Sequence, residues 1–327
     1  MKQHRIEMIL RATEPIAHHS ETFGNAALIM REKMRFRHGF ENIPIITGDT
    51  MRHGLRRSSA YQYLHYAGLL DEPSLTQAAL RLLLNGGVIT GASGGAVKLT
   101  EYREIAELVP MLRLLGGCAQ NRTMDGRSSI DSAILICDET LEILPGWVGD
   151  FLAKHNEASA SHRSHVEEVT RVRMDSELSA GARELLLPSE AAEVEARLVA
   201  HEAASEGKDE KRKEDTKSSM HPRSFERVVR GSLWYWSQTF TTYSPLDEDT
   251  MWTMVLSFAM NAQVGGKKGT GHGRLEVAHA REFELAKPVE SVEFALATKE
   301  SGIGRIFREH VTERRDRIRE LLKTVVA

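Results

Sequence analysis

Val264-Gly-Gly-Lys-Lys-Gly-Thr-Gly-His-Gly-Arg-Leu-Glu-Val277 sets five glycines, at 265, 266, 269, 271 and 273, among Lys267, Lys268, Thr270, His272 and Arg274. Glycine accepts positive φ and lets another backbone approach with no Cβ in the way. A run of exposed N–H groups flanked by cations has the chemistry of a phosphate-binding loop. The spacing fits neither common nucleotide motif. A P-loop needs G-x-x-x-x-G-K-[ST], and a dinucleotide fingerprint needs G-x-G-x-x-G between a strand and a helix. Here the glycines alternate, and Arg274–Val277 reads as a strand. A glycine-rich hairpin with solvated lysines accounts for the same residues, so the decision falls to the rest of the chain.

A second stretch, Ile43-Pro-Ile-Ile-Thr-Gly-Asp-Thr-Met-Arg-His-Gly-Leu-Arg-Arg57, carries related chemistry. Ile43–Ile46 is a short apolar strand that Gly48 ends. Asp49 or Thr50 is suited to cap a helix running through Arg52, Leu55, Arg56, Ser59 and Tyr63. Arg52 and Arg56 are four apart, which places them on one face near a helix N-terminus that itself favours anions. An ordinary strand-turn-helix with solvated arginines remains the alternative.

The chain has 327 residues, enough for one large or two ordinary domains with a buried core. Apolar residues make up 41% and charged residues 27%, as in soluble globular proteins. Cys118 and Cys137 are the only cysteines, too few for a disulfide framework or zinc ribbon, which fits a reducing cytoplasm. The first residues show no cleavable signal pattern, and no run reaches membrane-spanning length. Cytoplasmic location without membrane contact is the expectation. The net charge of −3 argues weakly against nucleic-acid binding but hides local asymmetry. Arg31–Arg57 holds seven Lys/Arg against three acids, and Ser189–Asp215 holds nine acids against five bases.

Along the chain, Arg5–Ala12 alternates as a half-buried strand. Ala17–Asn25 reads as a polar loop, and Ala26–Arg37 as a strand with a basic face. Ser74–Leu84 and Glu101–Leu115 are amphipathic helices separated by the glycine-rich Gly86–Gly95. Ser132–Cys137 is a buried strand. Val166–Leu187 fits a hairpin turning at Ala180-Gly181, and residues 190–217 an exposed helix passing into a disordered charge run. Val228–Phe240 is an aromatic strand, Glu248–Val264 an apolar helix, 289–296 a strand, and Ile303–Val325 an amphipathic helix. Irregular mixing of strands and helices with long insertions points to an α+β core.

Other chemistries find little support. The fourteen histidines include the pairs His18-His19 and His162-Arg-Ser-His165, without cysteine or carboxylate partners at ligand spacing. Ser93 is glycine-flanked but not in a G-x-S-x-G elbow. Trp234, Tyr235 and Trp236 have the faces to stack on bases, yet alternating strand aromatics are more often core. No catalytic residue, metal or cofactor is assigned.

Ile43–Arg56 resembles the segment that follows the first strand unit in RAMP-superfamily CRISPR proteins, and Val264–Val277 resembles that superfamily's C-terminal glycine loop. Their order and separation match, and Arg227–Gly231 leading into the aromatic strand looks like the strand before that loop. The chain is most similar to the backbone subunit, the seventh Cas family, in its type IV form. Roughly half the chain carries the resemblance.

The resemblance implies a ferredoxin-like (RRM-like) palm from 1–64, 118–153 and 224–327. It implies helical fingers over 65–117, and a thumb hairpin plus charged flexible insert over 154–223. It implies a non-catalytic subunit whose copies form a helical filament along a guide RNA (crRNA), beside other CRISPR effector subunits, leaving the bases to pair with a target nucleic acid. The RNA-binding positions carried over are Gly48, Asp49, Thr50, Arg52, His53 and Arg56. In the glycine loop they are Gly265, Gly266, Lys267, Lys268, Gly269, Thr270, Gly271, His272 and Arg274. Arg171 and Arg173 would arm the thumb that wedges into the guide–target duplex. Type III relatives cut RNA with an aspartate in the loop after the first strand. Here Ala17–Met30 has no aspartate and only Glu21 as a carboxylate, which points away from cleavage. A metal-dependent endonuclease of the same superfamily and a small-molecule phosphate enzyme are the competing readings.

Overall fold

The computed structural model describes residues 1–23, 26–70, 75–87, 98–119, 121–174, 192–193, 196, 220–284, 287–288 and 302–324. Its strands, in order, are β1 (Lys2–Ala12), β2 (His19–Phe23), β3 (Ala26–Ile29), β4 (Arg31–Phe36), β5 (Gly39–Ile46), β6 (Gly117–Ala119), β7 (Arg122–Met124), β8 (Ser128–Ile130), β9 (Ala133–Leu135), β10 (Val166–Met174), β11 (Met220–Val228), β12 (Leu233–Thr242), β13 (Leu275–Glu284) and β14 (Lys287–Pro288). The helices are α1 (Gly48–Tyr66), α2 (Gln77–Asn85), α3 (Leu99–Leu108), α4 (Pro110–Leu115), α5 (Gly146–Lys154), α6 (Pro245–Met260), α7 (Arg305–Glu313) and α8 (Arg315–Thr324).

Strand β1 runs between β12 and β13, antiparallel to both. Strand β12 pairs antiparallel with β8 and β9, β9 with β5, and β5 with β4. The eight-stranded sheet therefore reads β14-β13-β1-β12-β9-β5-β4, with β8 beside β12. Its heart is β1, α1, β8/β9, β12, α6 and β13. This is a βαββαβ unit in which the fourth strand lies beside the first and the third lies between the first and second, the ferredoxin-like arrangement.

Register places Met8 opposite Trp236 and Leu10 opposite Trp234. Because strand side chains alternate, Ile6, Met8, Leu10, Trp234, Trp236 and Phe240 join one core with Met51, Leu55 and Phe258 from α1 and α6. Ile9, Leu233 and Tyr235 belong to a second core with Val148, Phe151 and Leu152 of α5. Both sheet faces are covered, which is why β1 is buried nearly throughout its second half. The aromatic run of β12 is core, not an exposed stacking surface.

Polar groups lock the helices onto this core. Asp247 is 1% exposed; it meets Arg113 at 2.8 Å and Arg127 at 3.5 Å and accepts the Tyr243 N–H at 2.9 Å. Asp249 accepts the N–H groups of Gly304 (2.7 Å) and Phe307 (2.8 Å), capping α7 onto α6. The Tyr63 hydroxyl donates to Leu108 O at 3.0 Å, holding α3 against α1.

Contacts divide the chain into two units, residues 1–21, 28–167 and 226–327 in the first and 22–27 and 168–225 in the second. The second contains the parallel pairing of Ser224 with Ala26 and Phe225 with Ala27, part of a four-stranded sheet in the order β10-β11-β3-β2. Strand β10, next to β11 in that sheet, includes positions Arg171 and Arg173. The expected turn and return at 175–187 lie outside the described residues, as do Ser93, most of the 190–217 charge run and the 289–296 strand.

Several expected boundaries move. Ala17–Asn25 contributes β2 instead of remaining a loop, and Ala26–Arg37 divides into β3 and β4. The helix expected over Glu101–Leu115 breaks at Val109, because Pro110 cannot donate to the preceding turn and starts α4 instead. The C-terminal helix splits at Arg314 into α7 and α8. Val228–Phe240 turns at Gly231, φ +89°, separating β11 from β12.

Glu139 fixes the segment leading into β10. It accepts from the Ser161 hydroxyl at 2.6 Å and the His162 N–H at 3.0 Å. Burial alone would raise its carboxyl pKa, but these hydrogen bonds to the ionised form outweigh it and bring the pKa down to about 2. A depressed folded-state pKa gives stability that is present above the unfolded value of about 4.3 and is lost as pH falls toward 2. Glu139→Gln therefore flattens the loss of stability between roughly pH 5 and pH 2 in urea titrations. An unchanged acid limb would show that the carboxylate contributes nothing there.

Candidate nucleic-acid interface

Three stretches distant in sequence meet beside the first crossover helix: the glycine loop, the first turn of α1 and the connection after β1. Gly266 N–H donates to Ala17 O at 2.7 Å and Gly273 N–H to Pro15 O at 2.9 Å. His18 Nε2 lies 3.3 Å from Thr47 Oγ1. The glycines permit these approaches. A Cβ on Gly265, at φ +71°, would stand 2.7 Å from Ala17 O, and one on Gly273, at φ +93°, 2.0 Å from Val264 O. Thus the N–H groups of Gly266 and Gly273 serve the fold and are not available to phosphate. Gly269 and Gly271 face open space. Lys268–Thr270, which contains Gly269, forms a single 3-10 turn, entered through Lys267 at φ +58° and left through Gly271.

The helix cap differs from expectation. Thr47, not Asp49 or Thr50, is the N-cap, its hydroxyl accepting the Thr50 N–H at 3.4 Å. Gly48 N–H donates to Ser132 Oγ at 3.2 Å, tying the turn to β9's approach. Asp49 is exposed and Thr50 half-buried, its hydroxyl accepting from Thr47 at 3.0 Å.

Arg56 is the clearest correction. It is 4% exposed, and its guanidinium donates to Gly116 O at 2.9 Å and Leu115 O at 3.3 Å. Burial, with the Arg52 charge adding to it, lowers its pKa to about 10. It satisfies the carbonyls at the end of α4 and joins the helical block to α1, so it is not a phosphate ligand. His272 is also interior, 2% exposed, with Nδ1 3.0 Å from Thr270 O.

The cations that do face outward are Arg52, His53, Arg57, Lys267, Lys268 and Arg274. Arg52 is half-buried, and its Nε is shielded from solvent with no hydrogen-bond partner among the described residues. Burial and then the charges of Lys268, Arg57 and Arg56 hold His53 below its ordinary pKa. Burial and then Arg57 do the same to Lys268. Burial is the larger cause of both shifts, and the neighbouring cations add to it; a bound anion would offset the part that comes from those cations. Arg274 is 68% exposed and 3.8 Å from Glu14, a weakly paired rim cation.

Arg57 was not among the sequence-derived site residues, although its spacing from His53, one helical turn, carries the signal. His18 and Thr47 were also missed, because their contact joins residues nearly thirty apart. Among the described residues no three histidines, cysteines or carboxylates converge to hold a metal ion. No described helix is long and apolar enough to cross a membrane.

Comparison with known proteins bears on the fold. No family model matches the chain, and no curated protein sequence does. A chain of a solved Type IV-B CRISPR complex is similar in structure, with 15% identity, 91% of this chain and 100% of that chain covered, and a TM-score of 0.52. The α+β ferredoxin-like architecture is thus shared with a subunit of that complex.

Arg56→Ala leaves two buried carbonyls unsatisfied and costs about 3 kcal/mol, whereas Arg52→Ala stays within about 0.5 kcal/mol. Urea midpoints of the two variants check this, and equal midpoints would refute the buried role.

Proposed function

We propose that the protein is a non-catalytic subunit of a type IV CRISPR ribonucleoprotein that binds guide RNA through its sugar–phosphate backbone and does not cut the paired target. The observation that carries the reading is the outward cluster of Arg52, His53, Arg57 and Lys268, with depressed His53 and Lys268 pKa values. It stands on a ferredoxin-like fold shared with a Type IV-B complex chain. Such a cluster offers charge without a fixed donor–acceptor pattern for base edges, which suits a protein that leaves sequence to base pairing.

In this reading successive copies lie along the guide in a helical filament, other effector subunits complete the particle, and the guide bases remain open to a target strand. The complex works in the cytoplasm. The absence of aspartate from Ala17–Met30 supports a binding role over the metal-dependent endonuclease role. Assembled complex given Mg²⁺ and paired target RNA leaves the RNA intact, and cuts at regular spacing would overturn this.

Affinity for single-stranded RNA should depend on salt through counterion release. Removing two phosphate-contacting cations, Arg52→Ala with Lys268→Ala, lowers the slope of log K against log salt by about 1.4. Fluorescence polarisation from low to moderate salt measures it. A slope equal to that of the unaltered protein would remove this cluster from the interface.

A further inference from the structure

Beside the cation cluster, an open groove of ≈ 670 Å³ runs between α1, the end of α6 and the glycine loop. Its volume lies in the range of sites that hold a small ligand or a single nucleotide. Arg57 and Lys268 line it, and no carboxylate among the described residues does. The C-terminal end of α6 contributes about half a negative charge, less than the two cations supply, so the groove remains positive. Both side chains line the same groove, and the Arg57 charge adds to burial in lowering the Lys268 pKa.

The remaining lining has a different character. Tyr61 is 47% exposed and Met260 60% exposed, both large apolar groups in the groove wall. An aromatic face beside cations is a platform for a nucleobase, which stacks on a ring irrespective of its identity. The wall is already fixed. Gln62 donates to the Tyr66 hydroxyl at 2.8 Å and accepts from Ser257, so both ends of its amide are engaged. Gln263 Nε2 reaches His272 O at 3.3 Å and Lys268 O at 3.5 Å, tying the loop end of the groove to β13's approach. At its other end Gly54 lies against Phe258, where a Cβ would stand 2.7 Å from the ring, so α1 and α6 are in tight contact there.

We propose that this groove is a subsite for one nucleotide of the bound single-stranded RNA, with its phosphate between Arg57 and Lys268 and its base on the Tyr61 ring. The inference rests on the RNA-binding reading and adds to it a residue pair, Arg57 and Tyr61, and a base-stacking contact. Arg57 and Tyr61 are one turn apart on α1, so phosphate and base are received by a single rigid element.

The test uses the full chain and a single-stranded RNA of mixed sequence containing 4-thiouridine. Binding is followed by polarisation, and photocrosslinks are mapped by mass spectrometry. Crosslinks are expected in the peptides bearing Tyr61 or Met260. Tyr61→Ala weakens binding about 5- to 100-fold, and Tyr61→Phe, which keeps the ring, binds like the unaltered protein. Uridine or adenosine monophosphate at 1 mM, chosen as about the weakest affinity worth scoring, does not displace the RNA. RNA bound normally by Tyr61→Ala, with no crosslink in the groove, would overturn the subsite and leave the RNA-binding reading standing. Displacement by the mononucleotide would reassign the groove to a free nucleotide. No RNA binding by the unaltered protein would overturn both.

Discussion

Two backbone hydrogen bonds, from Gly266 to Ala17 and from Gly273 to Pro15, hold the positive face of this protein in place. They fasten the loop that follows α6 to the chain that leaves β1. Those two segments flank adjacent strands of the ferredoxin-like unit, so the loop inherits its position from the β1–β13 pairing. Lys268 faces α1 because its loop cannot move away from β1. The geometry requires glycine at 265 and 273 for close approach, which leaves the flanking lysines to carry charge.

Buried polar groups extend this logic into the helices. Arg56 gives its hydrogen bonds to α4, Asp247 gathers Arg113 and Arg127, and Asp249 caps α7. Each has hydrogen-bond or ion-pair partners inside the protein. Charges left facing one another, as Arg57 and Lys268 are, have no such internal answer in their shared space. Internal hydrogen bonding separates scaffold from surface here more sharply than residue type does, since arginine appears in both roles.

Much of the fold was legible in the sequence. The alternation of Ile6, Met8 and Leu10, the apolar face of α6 and the strand–Gly48–helix passage all appear where periodicity places them. The sequence could not distinguish Arg52 from Arg56. Both lie one turn apart on α1, and only the packing of α4 against that helix reveals that one guanidinium points inward. Nor could it place the cap at Thr47, because Thr, Asp and Thr at 47, 49 and 50 are all good capping residues. The glycine pattern signalled close approach correctly but not its partner, which is the β1 exit instead of a ligand. Tyr61 went unnoticed because an aromatic residue on an amphipathic helix reads as core.

The outer border of the large sheet has a consequence for how molecules meet. Among the described residues strand β4 is the last strand on its side, and its exposed side chains are Glu32, Lys33 and Arg35, with Lys33 5.0 Å from the Phe40 ring. A border of exposed charged side chains discourages a neighbouring strand from adding on, since those charges would have to be desolvated. Continuous sheet growth from that side is therefore disfavoured.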